Sequence, residues 1–146
     1  MKPGLKIGDS AEVEIVVTED MVAGFGGQVI HRLYCTSALV QHMEWAARKV
    51  LEPYFEAHEE GVGCNVECSH LALTLPGCTV KVKATLTEIR ERKIVCEVEA
   101  FNARGKIARG SVTQSIIERE WLAEKMNELA LITQLSSQAE ASSKAQ

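Results

Sequence analysis

Three side chains stand out as able to do chemistry, each with a structural reading beside it. Glu44 stands in an apolar run, Met43-Glu44-Trp45-Ala46-Ala47. A carboxylate held partly out of water there needs a partner or a task, such as taking a proton or attacking a carbonyl. Arg48 or open water would give it a purely structural outlet. Thr36 lies eight residues before Glu44, about 80° round a helix from it. Its hydroxyl, or that of Ser37, can cap the helix; the same position sets it beside unpaired amides suited to an oxyanion. His70, between Ser69 and Leu71, can carry a proton near neutral pH or simply pack in a strand. The remaining histidines make no cluster. His31 reads as a loop residue, His42 as lying on the polar side of a helix, and His58 precedes two glutamates.

Other chemistries fail on spacing or charge. Cys64, Cys68 and His70 suggest zinc, yet in a strand the two thiols lie ~13 Å apart, too far to share one ion at ~2.3 Å from each. No metal is expected. Gly24-Phe25-Gly26-Gly27 lacks the spacing and the following helix of a phosphate loop. With 16 basic and 20 acidic residues the net charge is −4, which argues against a hold on nucleic-acid backbone. No apolar stretch approaches the ~18 residues of a membrane span. The opening Met1-Lys2-Pro3-Gly4-Leu5-Lys6 has no apolar run, so an export signal is not expected. Five cysteines without one suggest a reduced, cytoplasmic protein.

The elements that must position the three residues follow from periodicity. Residues 9–18 alternate around Val13, Ile15 and Val17 and read as a strand. Glu19 to Gly27 is glycine-rich and is assigned no regular structure. Residues 36–55 read as one helix, with Leu39, Met43, Ala46, Val50 and Tyr54 on a stripe widened by Val40, Ala47 and Leu51. A helix apolar on several sides must be wrapped by other elements. Residues 59–63 look turn-prone, and 64–75 read as a long strand. Pro76-Gly77 predicts a type II turn. Val80, Val82, Ala84 and Leu86, then Ile94, Cys96, Val98 and Ala100, mark two more strands. Arg104-Gly105 predicts a hairpin into residues 106–117. Trp121, Leu122, Met126 and Leu129 suggest a second helix. Residues 1–135 form one α+β domain, an antiparallel sheet of about five strands wrapped around the long helix. The polar tail 136–146 is expected to be disordered. Exposed sheet edges favour a homodimer.

The run Tyr34-Cys35-Thr36-Ser37-Ala38-Leu39-Val40-Gln41-His42-Met43-Glu44-Trp45-Ala46 resembles the helix motif of hotdog-fold acyl-CoA thioesterases of the fluoroacetyl-CoA thioesterase-like family. The similarity continues through Gly61-Val62-Gly63, Ser69-His70 and Pro76-Gly77-Cys78-Thr79-Val80, over residues 4–118. The resemblance implies a hotdog fold and a homodimer with acyl-thioester sites between protomers. It implies Glu44 as base or nucleophile, Thr36 as its hydroxyl partner and His70 as the third catalytic group. Gly63 matches the position whose amide binds the thioester carbonyl. The expected reaction is hydrolysis of an acyl-CoA, with no cofactor beyond the coenzyme A of the substrate. A non-catalytic acyl-CoA sensor and a hotdog hydratase or dehydratase are the alternatives. Gln114 stands where fluoroacetyl-CoA-hydrolysing members carry arginine, and the stretch before the helix is shorter, so a different acyl group is expected.

Overall fold

The structure, a computed structural model, describes residues 1–145. Five strands form the main antiparallel sheet: β1 (Ser10–Val16), β4 (Glu59–His70), β5 (Thr79–Arg90), β6 (Lys93–Asn102) and β7 (Gly105–Glu118), in the order β1-β5-β6-β7-β4. Between β1 and β4 the chain forms a small hairpin, β2 (Val22–Phe25) with β3 (Gln28–Tyr34), and then helix α1 (Thr36–Leu51). Helix α2 (Arg119–Lys144) follows β7.

The alternation in β5 and β6 is realised directly. Val80, Val82, Ala84 and Leu86 are fully buried, while Lys81 and Lys83 between them are exposed. Ile94, Cys96, Val98 and Ala100 do the same on β6. These inward rows meet Leu39, Met43, Ala46, Ala47, Val50 and Leu51 of α1. Because its apolar surface is wide, α1 touches every strand of the main sheet. That is the α+β hotdog arrangement of a sheet around one helix. The turn at Pro76-Gly77 has Gly77 at φ +89°, the left-handed dihedral such a turn needs. At Gly110 on β7 an added Cβ would strike the Glu67 carbonyl of β4, so glycine permits the two strands to close there.

Several expectations change. The glycine-rich stretch 19–27 is not irregular: Glu19–Met21 is a 3-10 turn, and Gly26 and Gly27, both at positive φ, close the β2–β3 hairpin. The long strand is shifted toward the N-terminus, to Glu59–His70. Residues 59–63 pair with Gln114–Glu118 of β7, and that long-range ladder overrides the weak strand propensity of two glycines. Helix α1 stops at Leu51 and continues as a 3-10 turn, Glu52–Tyr54, around Pro53. The segment 136–144 belongs to α2 rather than to a disordered tail, and Gln146 lies outside the described residues. Residues 127–145 are wholly exposed, so intrahelical bonds alone hold that end. Among the described residues no helix is long and apolar enough to cross a membrane.

Candidate active site

Strand β3 delivers the chain to α1 through Cys35, whose N–H donates to the Met21 carbonyl at 2.9 Å. Cys35, not Thr36 or Ser37, occupies the N-cap position, and no side chain caps the helix. The Thr36 hydroxyl is therefore free for another partner. It lies 3.0 Å from Nδ1 of His70, the last residue of β4 and 34 positions away in sequence. His70 is half-buried. Its Nε2 is shut off from solvent and has no hydrogen-bond partner among the described residues. Burial lowers its proton affinity, opposed by the nearby Ala72 main chain, so the ring is biased toward the neutral form.

Thr36 and His70 border a cavity of about 520 Å³. Phe25, Leu33, Leu71 and Leu73 give it an apolar lining, with Phe25 supplied by the β2–β3 hairpin. His31 also lines it, from β3 rather than from a loop.

Glu44 sits elsewhere. It is two turns further along α1, half-buried, in a second depression of about 260 Å³ with Gln41, Trp45, Arg48, Gly61, Gly63 and Gln114. Its carboxylate presses on the main chain of Gly63, where a Cβ would overlap Oε1. The structural outlet through Arg48 is closed: that guanidinium pairs with Glu60 at 2.7 Å and Glu52 at 3.2 Å. Gly63 adjoins a register shift in the β4–β7 ladder before Asn65. Such a bulge re-aims backbone groups and is common beside functional sites. Within one chain, then, Thr36 meets His70 and Glu44 meets Gly63, but the two pairs do not touch.

Sequence reasoning passed over a buried pair behind His70. The Tyr34 hydroxyl is 2.5 Å from His42 Nδ1, and both residues are buried. His42 lies inside the helix packing, not on its polar side. Its position one turn after Leu39 and one before Ala46 was the available signal. Burial pushes the His42 imidazole below its usual range and the Tyr34 phenol far above. The zinc arrangement does not form: Cys64, Cys68 and His70 are spread along β4, and no group of three metal-ligating side chains gathers among the described residues.

Residues 17–120, most of the chain, match the family described as fluoroacetyl-CoA-specific thioesterase. The chain belongs to this family. It is 32% identical over 88 residues to the fluoroacetyl-CoA thioesterase of Streptantibioticus cattleyicolor, a match covering 60% of this chain and 63% of that protein. Among solved structures, a Thermus thermophilus hypothetical protein described as a thioesterase superfamily member superposes with TM-score 0.81 and 35% identity, over 95% of this chain and 98% of that one. A variant of the fluoroacetyl-CoA-specific thioesterase FlK, in complex with fluoroacetate and CoA, gives TM-score 0.76 and 25% identity over 80% and 98%. A hot-dog-like protein of Thermanaerovibrio acidaminovorans, 18% identical with TM-score 0.78 over 87% and 92%, supports the fold. Within the fluoroacetyl-CoA-specific thioesterase family, this chain combines Thr36, Glu44 and His70 with a buried Gln114.

Proposed function

We propose that this protein hydrolyses an acyl-CoA thioester to free acid and coenzyme A, with Thr36, Glu44 and His70 as the catalytic groups. The observation that carries the reading is the Thr36–His70 bond. Two residues far apart in sequence meet at the mouth of an apolar cavity, in a chain of a thioesterase family. Hydrolysis needs an activated oxygen nucleophile, a site for the oxyanion and a proton for the departing thiolate. Glu44 takes a proton from water, or attacks the carbonyl and forms an anhydride that water opens. The Gly63 amide receives the carbonyl oxygen. His70, oriented through Thr36, receives the proton that Glu44 took from water and passes it to the departing sulfur, ending neutral as it began; in the anhydride route the water that opens the anhydride supplies that proton. Water is the only co-reactant.

The separation of the two pairs favours assembly across a homodimer. Thr36 and Glu44 are ~12 Å apart along α1, and Gly63 and His70 ~23 Å apart along β4. Neither distance suits one thioester. Strand β4 is a twelve-residue sheet edge with its outer side open, which is a ready template for a second strand. If β4 pairs antiparallel with its copy about a two-fold between Val66 and Glu67, Gly63 of one protomer faces His70 of its partner. Each site then takes Thr36 and His70 from one chain and Glu44 and Gly63 from the other.

Mixing inactive variants tests both statements. Glu44→Gln and His70→Ala are each expected to lose at least ~100-fold in kcat, the scale of acid–base groups. Unfolding and refolding the two together should recover about a quarter of wild-type activity, because half the dimers are mixed and each has one intact site. No recovery would place each site within one chain. Full activity in either single variant would overturn the catalytic assignment. The apolar lining and Gln114 favour a short apolar acyl group over fluoroacetyl. Free-thiol release from a panel of acyl-CoAs should rank propionyl- or butyryl-CoA above fluoroacetyl-CoA.

A further inference from the structure

We propose that Tyr34 and His42 form a buried positioning pair that fixes the rotation of the His70 imidazole toward Thr36. The inference rests on the catalytic role given to His70 above.

Tyr34 ends β3, 2% exposed, with its N–H donating to the Thr74 carbonyl at 2.8 Å. The main chain at the root of its ring is thus pinned. Burial keeps the phenol protonated, and its hydroxyl and His42 Nδ1 share one hydrogen bond whose donor is set by the imidazole tautomer. Burial also biases the His42 ring toward its neutral form, in which one ring nitrogen donates and the other accepts. With the hydroxyl held at 2.5 Å, the Tyr34 ring has lost its freedom to swing.

The same ring touches both histidines. It stacks on His42, centroids 5.8 Å apart and planes 20° apart, and meets His70 edge-on at 6.2 Å and 76°. Edge-to-face packing at this separation has a preferred orientation. His70 needs it. Nε2 has no hydrogen-bond partner among the described residues, so beside the nearby Ala72 main chain the imidazole is oriented by the Thr36 hydroxyl at Nδ1 and the Tyr34 ring. If Tyr34 loosens, His70 can rotate away from Thr36 at the cost of a single hydrogen bond. Neither Tyr34 nor His42 acts on the reacting atoms; they act through His70.

The test uses the full-length protein and the variants Tyr34→Phe, His42→Gln, and the double variant Tyr34→Phe with His42→Leu. Three quantities are read: kcat and KM on the preferred acyl-CoA, the melting temperature, and the ring ¹⁵N signals of His70. Tyr34→Phe should lower kcat about tenfold, a modest misalignment effect. KM should stay within about twofold, and the His70 nitrogen signals should move. His42→Gln keeps an acceptor for the phenol and should retain near-parental kcat. The double variant removes both polar partners, which spares the penalty of one buried orphan, so melting temperature should recover. Its kcat and His70 signals should remain displaced.

Recovery of kcat together with stability in the double variant would reduce the pair to a packing feature and overturn the proposal. So would unmoved His70 signals in Tyr34→Phe. If His70→Ala proves fully active, the catalytic reading fails, yet the ¹⁵N signals still decide whether this pair orients the ring.

Discussion

Glu44 carries its carboxylate against a position that has room only for hydrogen, and that contact ties the catalytic reading to the identity of residue 63. Gly63→Ala should drive the Glu44 side chain out of place and lower kcat at least ~10-fold. Position 63 is itself exposed, so the melting temperature should change little. Steady-state kinetics beside a thermal melt checks both halves. The histidines give a second prediction. Burial lowers both His42 and His70 from the usual 6.5, so the unfolded chain takes up their protons first as pH falls. With more protons bound unfolded than folded, the contribution of these two residues to stability declines below about pH 6.5 and is level above it. Denaturant titrations on either side of that value should show the difference, and His42→Gln should shrink it. Much of this was legible in the sequence. Glu44 in an apolar run, and a resemblance that joined Thr36, Glu44 and His70, named the candidate groups. That Thr36 would leave the helix cap to bond His70 was not legible, because the choice depends on β4 arriving beside the helix N-terminus.

Elements with strict periodicity read well, and those shaped by a partner did not. Strands β5 and β6 alternate without exception across their cores, and α1 shows its wide apolar surface in one dimension. The start of β4 was hidden because Gly61 and Gly63 weaken any local signal. They are strand residues only through pairing with β7, and as glycines they leave space for Phe55, Gln114 and Glu44. The hairpin of β2 and β3 was hidden for a similar reason: two left-handed glycines make its turn, while its register is irregular. Helix α2 shows the opposite error. Its last two turns are composed of Ala, Ser, Gln, Glu and Lys, and helix is the state in which that composition best satisfies its own backbone. Removing residues 136–146 should leave kcat unchanged and the melting temperature within about 2 °C, since residues 136–145 are exposed throughout.

At the scale of the molecule, one helix and one sheet face form the core while the chemistry lies at the margins. The Thr36–His70 pair sits where α1 begins and β4 ends, and Glu44 sits where α1 passes the first half of β4. The long open edge of β4 runs between them. On the composite-site proposal a single protomer has two half-sites. Light scattering should give twice the 16.0 kDa chain mass, and a proline at Val66 should lower that mass and kcat together, since it puts a kink into the shared edge. Activity that persists in the monomer would count against the composite site.

The chain has two tryptophans, and Trp45 is half-exposed on the rim of the Glu44 depression with the Lys49 ammonium 5.6 Å from its ring centroid. The other, Trp121, is in α2. Indole emission responds to changes in polarity and nearby charge, so filling that depression should alter the intrinsic fluorescence without any dye or label. In a Trp121→Phe background the entire signal would come from the rim, which provides an optical titration of occupancy for ligands that are never cleaved.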